Sequence, residues 1–182
     1  MTAVSPPPLE PTASPPLKSP LPPPPPPVAP AARRDNRIAA VVIAVAVTLA
    51  FADVSIVALA IPDLYVEFGA SIPAVSWVLT GYALSVAIAG FAGVLLLRRA
   101  SGRLITAVGA AIFGVASAFA GFAPNLGVLL VARVVQGVGG AALVAGAFAV
   151  LAPLIGDKER AAHWWAIAGT VGTAIGPAVG GL

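Results

Sequence analysis

Residues 126–155 read LGVLLVARVVQGVGGAALVAGAFAVLAPLI, thirty positions with one charged side chain, Arg133. About 20 consecutive apolar residues suffice for an α-helix to cross the hydrocarbon core of a bilayer, because each residue advances the helix by about 1.5 Å. The segment has no continuous polar face that water would solvate. It therefore predicts a membrane-spanning helix rather than one helix of a water-soluble bundle.

Four other stretches have the same character, and short polar or basic segments separate them. Together with 126–155, the predicted spans are 38–61, 75–97, 104–122 and 161–182. Pro62, followed by Asp63 and Glu67, is expected to end the first span. The whole chain is 59% hydrophobic and only 9% charged, whereas a soluble domain is about 25% charged. We therefore predict an all-α membrane protein with about five transmembrane helices in a lipid bilayer.

The charge and the reactive side chains exclude several classes of function. The formal net charge is +3, too small and too scattered for a nucleic-acid-binding surface. The sequence has no cysteine and one histidine, His163, which cannot build a typical zinc site or a catalytic triad. We therefore predict no nucleic-acid partner, no metal site, no catalytic residues and no enzymatic activity.

The amino terminus has a different composition from the rest of the chain. Fourteen of the 19 prolines fall within the first 32 residues, including an unbroken run from Pro22 to Pro27. Such a segment adopts extended polyproline II and cannot pack a core. We predict that residues 1–37 form a disordered, proline-rich cytoplasmic tail. The alternative is a docking site for a proline-recognising partner.

The basic residues predict the orientation of the helices. Nine of the ten lysines and arginines lie in the tail, in the loop between the second and third spans, and in the loop between the fourth and fifth. These segments share one side of the membrane if successive helices alternate in direction. Because basic loops remain cytoplasmic, the sequence predicts a multi-pass cell-membrane protein with a cytoplasmic N-terminus.

Two ionisable residues, Asp53 and Arg133, fall inside predicted spans. Each costs about 2.5–3.5 kcal/mol at the centre of a membrane helix, so each is expected to have a partner or a function. Asp53 lies about 22 Å from the cytoplasmic end of the first span, and Arg133 about 10 Å below the outer end of the fourth. In a core of about 30 Å these depths nearly coincide. Two interpretations remain: a static ion pair that fixes packing, and a site that responds to protons or substrate.

The fifth span carries Gly172, Gly176 and Gly180 at four-residue spacing, with Pro177 beside the second glycine. A stripe of small residues lets another helix approach closely. Proline removes a backbone hydrogen bond and bends a helix. The span is therefore predicted to be closely packed and bent, as a moving bundle requires, although an ordinary packing seam has the same pattern.

Four stretches in chain order resemble the major facilitator superfamily, and in particular its drug–proton antiporter branch with fourteen spans. Residues 53–62 read DVSIVALAIP, similar to a first-helix motif of that branch, and 76–82 resemble the start of its second helix. Residues 133–141, RVVQGVGGA, match the fourth-helix pattern R-x-x-Q-G-x-G-x-A. Residues 172–181, GTAIGPAVGG, match the fifth-helix antiporter signature G-x-x-x-G-P-x-x-G-G.

The resemblance implies a secondary active transporter that exports small amphipathic solutes or drugs, driven by a proton gradient and without a cofactor. It implies a proton or substrate site at Asp53, Arg133 and Gln136. It also implies a cytoplasmic gate that includes Arg103 and Arg160. The residues implied for helix packing and switching are Gly137, Gly172, Gly176, Pro177, Gly180 and Gly181.

Two features depart from the family pattern. The loop after the second helix normally carries an acidic residue, whereas no aspartate or glutamate occurs between Glu67 and Asp157. The family fold also has two six-helix halves with substrate between them, whereas this chain ends after five predicted helices, as a partial N-terminal half. We expect transport to need the missing helices. The alternative is a non-transporting remnant, or a scaffold that anchors the proline-rich tail.

Overall fold

Five α-helices account for nearly all of residues 30–180, which are the part of the chain that a computed structural model describes. They are α1 (Pro30–Phe68), α2 (Ile72–Leu96), α3 (Gly102–Gly121), α4 (Leu126–Ile155) and α5 (Lys158–Gly180). The predicted all-α class is confirmed. Residues 1–29 of the predicted tail, with any partner it would bind, lie outside the described residues.

Helix α1 differs most from its predicted bounds. It begins at Pro30 rather than Ile38, so the last part of the predicted tail is helical, and it continues through Pro62 to Phe68. Proline is well suited to the first helical position because it has no N–H to leave unpaired. The 39 residues of α1 span about 58 Å, nearly twice the hydrocarbon thickness. Asp63 and Glu67 are exposed on its last turns, and the helix ends before Gly69, whose φ is 55°.

The ends of the other helices lie within three residues of the predicted ones, and α4 has the predicted bounds. Local capping explains them. The side chain of Asn125 accepts a hydrogen bond from the Val128 amide (3.0 Å) at the start of α4. Gly156, with φ 76°, closes the other end of α4. Asp157 Oδ1 accepts hydrogen bonds from the amides of Glu159 (2.9 Å) and Arg160 (3.3 Å) and so starts α5.

Helix α4 is the centre of the bundle, and it contacts each of the other four helices. Glycines permit its closest contacts. A Cβ on Gly109 of α3 would meet the backbone of Ala142 and Gly139 at 2.9 Å. Helix α5 packs mainly on α1, where a Cβ on Gly176 would lie 2.7 Å from the carbonyl oxygen of Ala52.

Large apolar side chains cover the outside of the bundle; Leu49, Ile88 and Phe119 are all more than half exposed. Water would solvate this surface poorly, whereas acyl chains match it. Of the described helices, α1 to α4 are long and apolar enough to cross a membrane. Helix α5 does not reach that level over its described residues, and its first turn is charged, with Lys158, Glu159 and Arg160.

A buried ion pair as the candidate functional site

The structure places Asp53 of α1 and Arg133 of α4 in direct contact. Arg133 Nη1 donates a hydrogen bond to Asp53 Oδ2 at 2.5 Å, and the two groups form an ion pair. This contact agrees with the similar membrane depths inferred from the sequence. Buried charges are tolerated when they are paired and hydrogen-bonded, so the pair explains how both spans can carry an ionisable residue.

Gln136 turns the pair into a closed network. It lies one turn after Arg133, on the same face of α4. Arg133 Nη1 also donates to Gln136 Oε1 (2.7 Å), and Gln136 Nε2 donates to Asp53 Oδ1 (2.8 Å). Each oxygen of the Asp53 carboxylate therefore accepts from a different side chain of α4. The glutamine orients the carboxylate toward the guanidinium in addition to making its own contacts.

Two residues that were not predicted as site residues complete the network. Gln136 Nε2 donates to Ser117 Oγ of α3 (2.7 Å), which in turn donates to the Phe113 carbonyl (2.8 Å). On the opposite side, the guanidinium carbon of Arg133 lies 4.2 Å from the ring centroid of Tyr82 of α2. This is cation–π geometry. Four helices thus meet at one polar cluster.

The exposure of the site is uneven. Arg133 and Gln136 are each 1% exposed, whereas Asp53 is 20% exposed. Nε and Nη2 of Arg133 have no hydrogen-bond partner among the described residues. The guanidinium of Arg133 is therefore buried, with two nitrogens unpaired among the described residues, whereas the carboxylate of Asp53 is partly exposed.

The predicted packing glycines lie around this cluster. A Cβ on Gly137 would collide with the Ser85 hydroxyl and approach the Tyr82 carbonyl at 2.9 Å. Its absence lets α2 bring Tyr82 onto Arg133. Gly176 is buried against Ala52 and Ser55, on either side of Asp53 in α1. Gly172 meets the Thr48 carbonyl, one turn before Ala52.

The remaining predicted residues lie away from the ion pair. Pro177 is exposed within α5, Gly180 is its last residue, and Gly181 lies outside the described residues. Arg103 and Arg160 are both exposed but line different cavities. Arg103 faces a cavity of about 450 Å³ between α1, α3 and α4. Arg160 faces a groove between α1 and α5. Their role in a cytoplasmic gate remains a prediction.

Comparison with known proteins identifies the family. Residues 43–182 match the family model described as Major Facilitator Superfamily. The chain belongs to this superfamily. The resemblance inferred from the helix motifs is therefore confirmed, and the superfamily is one of membrane transporters rather than enzymes. Its members reside in a lipid bilayer and act on small molecules.

Curated relatives within the superfamily bear the names of drug exporters or resistance proteins. The chain is 32% identical over 135 residues to the multidrug resistance protein Stp of Mycobacterium tuberculosis, an overlap covering 72% of this chain and 25% of Stp. It is 37% identical over 150 residues to the puromycin resistance protein pur8 of Streptomyces alboniger, covering 78% and 29%. It is 30% identical over 145 residues to the methylenomycin A resistance protein of Bacillus subtilis, covering 78% and 31%. The chain thus spans about a quarter to a third of the length of these relatives.

Proposed function

We propose that this chain contributes the proton-binding site of a proton-coupled exporter of small amphipathic compounds. The observation that carries the proposal is the Asp53–Arg133–Gln136 network, in which an accessible carboxylate is paired with a sealed guanidinium inside membrane helices. The names of the relatives, which refer to puromycin and methylenomycin A resistance, support the choice of drug-like solutes.

Among the described carboxylates, Asp53 is the one whose protonation would alter the most side-chain contacts. The other described carboxylates are exposed near helix ends, where water solvates them. They are Asp63, Glu67, Asp157 and Glu159. Asp53 lies in the middle of an apolar helix and binds two α4 side chains through its charge. Protonation therefore changes the local interactions at Asp53 far more than at the other four.

The charge balance gives protonation a structural consequence. With Asp53 ionised, the pair is neutral overall, and both carboxylate oxygens accept hydrogen bonds. Protonation leaves the positive charge of Arg133 without its anion in a buried site, which is costly. The protein then favours a conformation in which Arg133 finds water or an acceptor on a substrate. The proton-loaded and proton-free states would in this way prefer different helix arrangements.

Helices α1 and α5 would carry this change. Asp53 is on α1, and the contacts of Gly172 and Gly176 with α1 lie directly beside it. The smooth glycine surface allows α5 to slide, and Pro177 leaves one backbone carbonyl of α5 without its helical donor. Both features suit a helix that changes position when the α1–α4 pair opens.

Infrared difference spectroscopy of the purified chain in lipid tests proton binding directly. Between alkaline and acidic buffer we expect a carboxylic C=O band that disappears in Asp53→Asn. The matched control is Asp63→Asn, which removes an exposed carboxylate from the same helix and should retain this band. If Asp53→Asn leaves the spectrum unchanged, Asp53 does not take up a proton under these conditions.

Export is tested in everted membrane vesicles from cells that express the complete native gene. Asp53→Asn should abolish pH-gradient-driven uptake of a fluorescent amphipathic dye, and Asp63→Asn should not. The amount of each variant in the membrane is measured in parallel. Dye transport that survives Asp53→Asn would remove Asp53 from the mechanism, even where the infrared band is confirmed.

The proposed orientation, with a cytoplasmic N-terminus, is tested by cysteine labelling. The sequence has no native cysteine, so single substitutions report without background. Ala100→Cys, between α2 and α3, should react with a membrane-impermeant maleimide only in inside-out vesicles. Ser71→Cys, between α1 and α2, should react only from outside. The reverse pattern would invert the proposed topology.

A further inference from the structure

Tyr82 of α2 contacts the guanidinium of Arg133 through the face of its ring. Asp53 and Gln136 both bind Nη1 of Arg133, whereas Nε and Nη2 have no hydrogen-bond partner among the described residues. The guanidinium carbon lies 4.2 Å from the centroid of the Tyr82 ring. Arg133 is 1% exposed and Tyr82 is 7% exposed. The described helices therefore enclose this contact by themselves, and it does not depend on helices that pack outside them.

Close packing against α4 fixes the position of Tyr82. A Cβ on Gly137 would lie 2.9 Å from the Tyr82 carbonyl oxygen, and a Cβ on Gly140 would lie 3.3 Å from the Tyr82 hydroxyl. The backbone and the hydroxyl end of Tyr82 thus both pack against glycines of α4. Ser85 Oγ, which a Cβ on Gly137 would also meet, donates a hydrogen bond to the Tyr82 carbonyl (2.7 Å). The ring is therefore held by the α2–α4 contact as well as by Arg133.

The contact between α1 and α4 is of a different kind. Among the described residues, the side-chain hydrogen bonds between these two helices are the two that Asp53 accepts from Arg133 and Gln136. Helix α1 contains no glycine, and the glycines of α4 that meet another helix have their nearest neighbours on α2 or α3. Loss of the Asp53 charge would therefore weaken the α1–α4 contact and leave the packing of α2 on α4 as it is.

The attraction between Tyr82 and Arg133 does not require the charge of Asp53. Arginine keeps its proton in proteins, and a cation is attracted to an aromatic face by the quadrupole of the ring, which needs no ionised group. Such contacts are stronger where water is excluded, as it is around the buried Arg133. Gln136 Oε1 also accepts a hydrogen bond from Nη1 independently of Asp53. Two neutral groups, one on α2 and one on α4, can thus hold the guanidinium.

We propose that Tyr82 is the positioning residue that keeps Arg133 in place when Asp53 becomes neutral. Its role in transport rests on the proposed proton uptake by Asp53. On that basis α1 is released from the cluster, whereas the guanidinium stays between α2 and α4. The N–H group that Asp53 gives up is then presented at a fixed position to a hydrogen-bond acceptor of the exported solute.

NMR of the full chain in lipid nanodiscs, with isotopically labelled arginine, tests this proposal. An aromatic ring shifts the signals of protons above its face upfield, so the Nε–H signal of Arg133 should lie upfield of those of the other seven arginines. Its loss in Arg133→Lys assigns it. Asp53→Asn removes the charge, keeps the shape of the side chain, and should retain the upfield shift. Because this variant cannot take up a proton at residue 53, the result does not depend on the proposed function, which the infrared band tests.

Matched variants in the Asp53→Asn background separate the ring from general packing. Tyr82→Leu should abolish the upfield shift, whereas Tyr82→Phe, which keeps the ring, should retain it. The control Tyr65→Leu, which removes the other tyrosine of the chain, should also retain it. Unchanged signals from the other arginines show that Tyr82→Leu still folds.

Two results would overturn the proposal. Loss of the upfield shift in Asp53→Asn alone would show that Arg133 leaves Tyr82 together with its anion, and this result needs no substitution at Tyr82. Retention of the shift in Tyr82→Leu would show that the ring is not what holds the guanidinium.

Discussion

Asp53→Leu is expected to lower the free energy of unfolding of the purified chain by about 3–5 kcal/mol, the range measured when one partner of a buried ion pair is removed. Arg133 is 1% exposed, and arginine cannot lose its proton in a protein. Once the carboxylate is gone, the charge of Arg133 stays buried, with Gln136 and the face of Tyr82 beside it. The measurement is unfolding in mixed micelles titrated with a denaturing detergent.

Removing the other partner, Arg133, should lower the free energy of unfolding by less than Asp53→Leu does. This difference would identify the buried, uncompensated cation as the cause of the lost stability. Arg133→Met leaves Asp53, which is 20% exposed and keeps its hydrogen bond from Gln136. The double variant Asp53→Leu/Arg133→Met should be more stable than Asp53→Leu alone, because a neutral apolar pair replaces an uncompensated cation. Additive losses in the double variant would show that the two charges are not energetically coupled.

The location of this pair could be predicted from the sequence, whereas its surroundings could not. Counting residues from the basic loops placed Asp53 and Arg133 at similar depth, because the rise per residue of a helix is fixed. Tyr82 and Ser117 were missed, since a tyrosine or serine in an apolar run has many roles. Whether they contact Arg133 or Gln136 depends on how closely α2 and α3 approach α4. The periodicity of the sequence does not predict the distance between two helices.

The helix ends show a similar contrast. Local sequence predicts some of them, whereas others depend on the surroundings of the helix. The bounds of α4 were predicted because Asn125 and Gly156 stop the helix through their own chemistry. Helix α1 extends beyond the predicted span at both ends, because the prediction ended the span where the apolar run ended. A helix whose backbone is already hydrogen-bonded internally can continue past the end of its apolar run without unfolding, and α1 continues through Pro62 to Phe68. Hydrophobicity therefore indicates where the membrane is, rather than where the helix stops.

Gly172→Ala is expected to destabilise the chain by about 1–3 kcal/mol, the usual cost of overpacking. A methyl group at this position would collide with the carbonyl oxygen of Thr48 and lie 2.9 Å from the Cβ of Phe51. A backbone carbonyl within a helix cannot rotate away, so α5 must separate from α1 along its whole contact. The separation would also disturb Ala52 and Ser55, which flank Asp53 and meet Gly176.

The matched control is Gly169→Ala, one turn earlier on the same helix. A Cβ there would lie 3.4–3.6 Å from the ring of Phe51, which is ordinary contact. Alanine is favoured over glycine in a helix by up to about 1 kcal/mol, so this variant should unfold at equal or higher detergent fraction. The two substitutions make the same chemical change and differ only in what the methyl group meets. If Gly172→Ala lowers the stability and Gly169→Ala does not, the α1–α5 contact depends on close backbone packing at Gly172. If both variants change the stability equally, the glycines matter only through helix propensity.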